Sequence, residues 1–296
     1  MNFVAWDSET HRIRPGMNCP RPVCLSISNM ESQVLVDRAA GLRWLRESLI
    51  REEIGFTGVN LPYDFSVFAA EDPSLLPLIF DAYESGRVRD VQIRQGLMDI
   101  AKGEHKYRHT AQGIVKTSYA LDDLVRYHFG DELPKTGATP EEPGYWRLRY
   151  GDLDGVPIAD WPAAAQKYAC DDALWSYRLW DKLFKEEAFD VPNEVEQNCA
   201  AWALRLAGIW GLRTDAEATK IFRANVEREY EEIYARLRKI GLVRADGSRD
   251  MKIIAAVVED AYKRAGRIVP RTPQGNPKTS EEVLSESGDE NLELLG

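Results

Sequence analysis

Within its first sixty residues the chain changes hydrophobic period twice. Residues 2–6 alternate and are apolar, and PVCLSIS (22–28) and SQVLVD (32–37) read as two further short strands, with Asn29 near the turn between them. LRWLRESLIRE (42–52) then takes helical spacing, and IGFTGVN (54–60) returns to strand. Three strands in quick succession, followed by strands alternating with helices, require an α/β domain layered on a mixed sheet. Helices are expected at 62–71, with Pro62 harmless in the first turn, and at 74–84, 90–102, 120–129 and 162–187. The stretch 130–161 is rich in Gly, Pro and Asp and reads as a long loop holding a short hairpin. After EEAFDVPNEVE (186–196) the pattern is nearly all helical, at 194–208, 215–240 and 250–265. Two domains are therefore expected, 1–190 and 191–296.

The net charge is -10, and residues 201–296 balance 16 Lys+Arg against 16 Asp+Glu, so the whole excess lies in residues 1–200. That argues against a general nucleic-acid coat and leaves room for a cation site. Cys19, Cys24, Cys170 and Cys199 form no C-x-x-C pair and no zinc spacing with the four histidines. Nothing calls for disulfides, Asp7 interrupts any signal-peptide core, and no apolar run approaches the ~18 residues of a membrane span. A cytoplasmic protein with no membrane partner is expected.

In a strand, residues two apart share a face. Asp7 and Glu9 in FVAWDSET therefore point the same way as Phe3 and Ala5, where the strand is expected to run out. Two such carboxylates either grip a cation or are solvated beyond the sheet; the same D-x-E recurs at Asp215 and Glu217, where two acids suit a helix start. GVNLPYDF adds Asn60 at a strand end and Asp64 in the next helix's first turn, positions that capping alone also accounts for. KYACDDALW places Tyr168 and Asp172 four apart on one helix face. Tyr-x-x-x-Asp occurs five times, but this copy is mid-helix among Ala165, Ala169 and Ala173, whose small side chains let a helix lie close to a sheet. Taken together, Asp7, Glu9, Asp64 and Asp172 could hold two divalent cations ~4 Å apart, an arrangement that activates water against a phosphodiester. Mg²⁺ suits carboxylate, water and phosphate oxygens, with Mn²⁺ as the alternative.

These residues resemble the DEDD exonucleases, specifically the proofreading 3′→5′ exonuclease domain of family-A DNA polymerases. WDSET resembles its first motif, D-x-E-T; NLPYD its second, N-x-x-[FY]-D; YACDDA its third, Y-x-x-x-D-A, in the Tyr subtype, because Lys167 stands where a sibling subtype has His. The resemblance implies an RNase H-like mixed-sheet domain followed by a mostly helical segment. It implies that Asp7, Glu9 and Asp172 hold one metal and Asp7 and Asp64 the other, with Tyr168 and Glu9 positioning the water. Thr10, Ile13, Asn60 and Tyr63 match positions that contact the terminal nucleotides of a frayed or single-stranded 3′ DNA end.

DWPAAAQKYACDDA and HRIRPG resemble bacteriophage members, which would place the protein in an infected bacterial cell. LRLAGIWGLRTD and RTPQGNPKTSEEVL resemble the opening and thumb base of the family's polymerase region. Fingers, palm and the catalytic aspartates of synthesis are not found, so no polymerase activity is expected of this chain. The chain is expected to be a truncated piece or part of a split polymerase whose partner carries fingers and palm. Two rival readings remain: an RNase D-like 3′→5′ RNA exonuclease, which shares the site, and a DNA-docking subunit. Lys135, Arg147 and Arg149 are candidate phosphate contacts. Arg236, Arg238 and Lys239 are candidates on the long charged helix.

Overall fold

The computed structural model describes residues 1–110, 113–133, 145–186, 191–211 and 213–296. It divides into two compact units, Met1–Gly211 and Leu212–Gly296. The first unit is built on a five-stranded sheet: β1 (Asn2–Thr10), β2 (Pro22–Ser28), β3 (Gln33–Asp37), β4 (Ile54–Gly58) and β5 (Val88–Asp90). Their order across the sheet is β3-β2-β1-β4-β5; β1 pairs antiparallel with β2 and β2 with β3, while β1, β4 and β5 are mutually parallel. That is a mixed sheet in an α/β fold, as the sequence requires. The helices of this unit are α1 (Arg38–Ile50), α2 (Leu61–Glu71), α3 (Leu76–Glu84), α4 (Val91–Lys102), α5 (Leu121–Phe129), α6 (Ala163–Asp181) and α7 (Glu194–Trp210).

Alternation along β1 divides the core. Trp6 points to one face, where its ring meets Phe65 and Phe68 edge-on at 4.9 and 6.0 Å among residues of α1, α2 and α3. Phe3 points to the other and stacks on Trp180 of α6 at 4.9 Å. Ala165, Ala169 and Ala173 are fully buried along α6, and their four-residue spacing gives that helix a flat side against β1 and β2.

Three local readings change. The first strand does not stop at residue 6: β1 runs through both acids to Thr10, because β2 continues to pair with it through Glu9↔Cys24 and, past a register shift, Thr10↔Pro22. Helix α1 starts at Arg38 rather than 42, because Asp37 caps it by accepting from the Ala40 amide at 2.8 Å. A hairpin that the sequence does not signal forms from β6 (Tyr107–Thr110) and β7 (Gly113–Lys116), while residues 134–144, where the expected one could fall, lie outside the described residues. Among the described residues of 130–161 there are only short helical turns, Tyr150–Leu153 and Ile158–Asp160.

The sequence sets its domain boundary near residue 190, whereas the first compact unit continues to Gly211. Helix α7 packs into it: Trp202 stacks on Tyr83 at 5.5 Å, and Glu194 pairs with Arg94 at 3.0 Å and Arg89 at 3.3 Å.

The second unit holds α8 (Ala216–Lys239), α9 (Met251–Arg264), α10 (Glu281–Ser285) and α11 (Glu290–Leu295). Its own core gathers Leu237, Leu242, Ile254, Val258, Leu284 and Leu292. Asp215 and Glu217 open α8: Asp215 accepts from the Glu217 and Ala218 amides at 2.9 and 3.0 Å, so that D-x-E is a helix cap. The RTPQGNPK segment is a tight turn, closed by Thr272 N–H to Asn276 O at 2.8 Å, with Gly275 at φ 85°. Arg236 is engaged within this unit by Glu290 and Asn291. Among the described residues no helix is long and apolar enough to cross a membrane.

Candidate active site

The site forms where one strand outruns its neighbour. β4 pairs with β1 only as far as Ala5↔Thr57 and ends at Gly58, so the far half of β1 has an open edge. The chain turns there through Gly58, where a Cβ would lie 2.7 Å from Leu61 Cδ2 and 3.0 Å from the Trp6 carbonyl, so a side chain there would have to displace Leu61. Asn60 follows with left-handed dihedrals, φ 64° and ψ 40°, and α2 begins.

Asp64, buried in the first turn of α2, fills the open edge. Its Oδ1 accepts from the Ser8 amide at 3.1 Å and the Ser8 hydroxyl at 2.5 Å. A side-chain carboxylate thus satisfies the ladder donor that β4 leaves unpaired. On the sheet face below α6, Asp7 and Glu9 meet Asp172: one carboxylate oxygen from each lies within 4.8 Å of the others. Asp64 stands outside that trio but is close enough to bear on Asp7 and Glu9 electrostatically.

This is an uncomfortable place for negative charge. Burial, then Asp64, Asp172 and Glu9, hold the Asp7 carboxyl well above the usual carboxylate range. Burial, Asp172 and Asp64 do the same to Glu9, with Arg147 opposing them. Asp64 is pushed up to about 7 by burial, against the lowering effect of its Ser8 hydrogen bonds. Neither Asp7 nor Glu9 has an ion-pair partner among the described residues, and Glu9 Oε1 is buried without a hydrogen bond there. Carboxylates so placed must share protons or take a cation, and an all-oxygen set suits a hard divalent one. These residues therefore fit Mg²⁺ or Mn²⁺.

Tyr168 stands one helical turn before Asp172. Burial and the charges of Asp172, Glu9 and Asp7 raise its hydroxyl's pKa, so it remains a neutral phenol, a donor rather than a base. Beside the acids opens a cavity of ≈ 440 Å³, lined among others by Thr10, Ile13, Asn60 and Tyr63. Thr10 Oγ1 and Tyr63 Oη are 2.8 Å apart, and burial pushes the Tyr63 phenol up to about 12. Ile13 is exposed at the rim. Asn60 occupies the cap position of α2 but makes no side-chain capping bond. Asp90 acts there instead, accepting from the Leu61 amide at 2.7 Å and from the Gln92 and Ile93 amides of α4.

Ser8 and Asp90 were not singled out in the sequence. The signal for Ser8 was its place between Asp7 and Glu9; for Asp90, an acid directly before a helical run. His11 also lines the cavity and is held by Asp154 at 2.9 Å, a contact across 143 residues that no local pattern announces. Of the candidate phosphate contacts, Arg147 lines the cavity, Arg149 is paired with Asp152 at 3.2 Å, and Lys135 lies outside the described residues.

No protein-family model and no curated protein matches this sequence. Among solved structures, the chain is similar to the Aedes aegypti Nibbler EXO domain, with 16% identity and a TM-score of 0.45 over 68% of this chain and 86% of that one. It is similar to Brucella melitensis NrnC, with 16% identity and a TM-score of 0.46 over 72% of this chain and 89% of that one. It is similar also to Escherichia coli RNase D, an exoribonuclease involved in structured RNA processing, with 16% identity and a TM-score of 0.45 over 70% of this chain and 46% of that one.

Proposed function

We propose that the first unit is a divalent-metal-dependent 3′→5′ exonuclease that removes nucleotides from single-stranded or frayed 3′ DNA ends. The observation that carries this reading is the meeting of buried Glu9 with half-buried Asp7 and Asp172 within 4.8 Å, without a basic partner for Asp7 or Glu9 among the described residues. Asp7, Glu9 and Asp172 would hold one cation, and Asp7 with Asp64 a second. When bound, such ions lower the pKa of water and stabilise the leaving oxygen of a phosphodiester.

The remaining work falls to the chain's own residues. Tyr168, kept as a neutral phenol, donates a hydrogen bond that orients the attacking water toward the phosphorus. Glu9 accepts from the same water. Ser8 fixes the Asp64 carboxylate through two hydrogen bonds, which holds it ready rather than leaving it to be ordered on binding. The Thr10–Tyr63 pair, Asn60 and Ile13 form the wall against which the terminal sugar and base are held.

The choice of DNA, and a role beside a family-A polymerase, rest on the resemblance of the second unit's sequence, RTPQGNPKTSEEVL. The test is degradation of 5′-labelled single-stranded DNA and RNA with Mg²⁺ and with EDTA. We expect stepwise shortening of DNA from the 3′ end, blocked by EDTA and lowered at least roughly 10²–10³-fold by Asp7→Ala. Activity that survives Asp7→Ala together with Glu9→Ala would falsify the site. Faster trimming of RNA would replace the DNA reading with the RNase D-like one.

A further inference from the structure

Behind Tyr168 and Asp172 lies a second cavity of ≈ 280 Å³, reached by Gln92, Leu121 and Leu133. It adjoins the larger one: Val59, Asn60, Arg147, Tyr168 and Asp172 line both. A single strand with its 3′ end at the acids can extend from the first chamber into the second only past that shared wall. Two charged side chains are on the wall, Asp172 and Arg147. Asp172 repels a backbone phosphate, so Arg147 is the group that can receive one.

Arg147 is also free and fixed for that task. It makes no hydrogen bond or ion pair with the described residues and is exposed. Its neighbours are spoken for: Arg149 pairs with Asp152 at 3.2 Å and lies over the Trp146 ring at 4.8 Å. The turn that carries Arg147 is closed by Arg149 N–H to Trp146 O at 2.8 Å. It is anchored by Trp146, buried with Tyr150 and Trp161 under α6. Arg147 therefore projects from a turn held down by Trp146, close enough to Glu9 to oppose that carboxyl's raised pKa. A guanidinium on such a base presents a planar fork that matches two phosphate oxygens.

We infer that Arg147 holds the phosphate one step 5′ of the scissile bond, and so makes the site prefer substrates of three nucleotides or more. This rests on the exonuclease reading above and deepens it. The scissile phosphate meets the carboxylate-bound cations; the next phosphate has no cation of its own and meets the guanidinium. Arg147 binds substrate and takes no part in bond making.

The test compares thymidine dinucleotide and trinucleotide, both without a terminal phosphate, in wild type, Arg147→Ala and Arg147→Lys. The dinucleotide carries only the scissile phosphate. In wild type kcat/KM is expected to be at least about tenfold higher for the trinucleotide, the worth of a charge-assisted hydrogen bond. Arg147→Ala is expected to abolish that preference through KM and to flatten the salt dependence of log KM by about 0.7, one phosphate contact on a single strand. Arg147→Lys is expected to restore part of both, since charge returns without the fork. An equal loss on the two substrates, or a loss confined to kcat, overturns the inference while leaving the exonuclease intact. A wild-type enzyme that cleaves neither substrate, nor longer DNA or RNA, overturns the functional reading, and this inference with it.

Discussion

Asp64 is buried, accepts two hydrogen bonds from Ser8 and yet is pushed up to about 7. Its carboxyl therefore keeps a proton in the folded chain over a pH range where the unfolded chain, with a pKa near 4, has lost it. Where the native state binds more protons than the unfolded state, stability falls as pH rises. The metal-free protein should accordingly lose stability between about pH 4 and pH 7, the window set by the ordinary and raised values of Asp64. Asp7 and Glu9 add to the effect in the same direction. Asp64→Asn keeps an acceptor for Ser8 and removes the charge. In EDTA its melting temperature should exceed that of wild type at pH 8 and converge with it near pH 4. Mg²⁺ should raise the melting temperature of wild type more at pH 8 than at pH 5, because carboxylates bind metal deprotonated. Thermal scans at the two pH values decide it; an Asn variant that melts lower than wild type at pH 8 refutes the account. At this scale the sequence showed the acids, because strand and helix periods say which residues share a face. It does not show that Ser8 holds Asp64 or that Asp90 caps α2 at the Leu61 amide, since hydrogen bonds across 56 and 29 residues leave no local pattern.

Among the elements, α6 decides whether the acids meet. Ala165, Ala169 and Ala173 have no exposed surface beyond 1%, so the helix has no slack against the sheet. Tyr168 and Asp172 sit one residue before Ala169 and Ala173, and their reach to Asp7 and Glu9 depends on that closeness. Ala169→Leu should cost roughly 1–3 kcal/mol by overpacking and move Asp172 away from β1. The expected signature is a higher Mg²⁺ concentration for half-maximal activity in a protein that still folds. A metal titration unchanged from wild type would show that α6 does not set the site. The alanine stripe was plain in the sequence, since a four-residue spacing of small side chains has few other uses. The length of β1 was not, because the apolar alternation ends at Trp6 while the backbone pairing that continues to Glu9 comes from β2. An expected break at the acids became an uninterrupted strand, so Asp7 and Glu9 are carried by paired β-structure rather than by a loop.

At the scale of the whole chain, two independent cores support two separable units, and the position of the division is itself testable. The sequence read it at the composition shift near residue 190, where the acidic, Pro-containing stretch gives way to helix. Composition does not reveal on which side a helix packs. Trp202 of α7 stacks on Tyr83 and meets Phe65 and Phe80 edge-on at 6.4 and 5.9 Å. Asn198 Oδ1 accepts from the Asp90 amide at 3.0 Å, and Glu194 holds Arg94 and Arg89. A chain ending at Gly211 keeps all of these contacts. One ending at residue 190 opens a cavity where Trp202 was, a loss of about 3–5 kcal/mol by itself, and removes Glu194 from the buried Arg94 and from Arg89. Residues 1–211 should therefore melt cooperatively and retain metal-dependent nuclease activity. Residues 1–190 should melt at much lower temperature or fail to fold, although every acid of the site is present in both. Equal melting of the two chains would return the boundary to 190 and make α7 an accessory of the second unit.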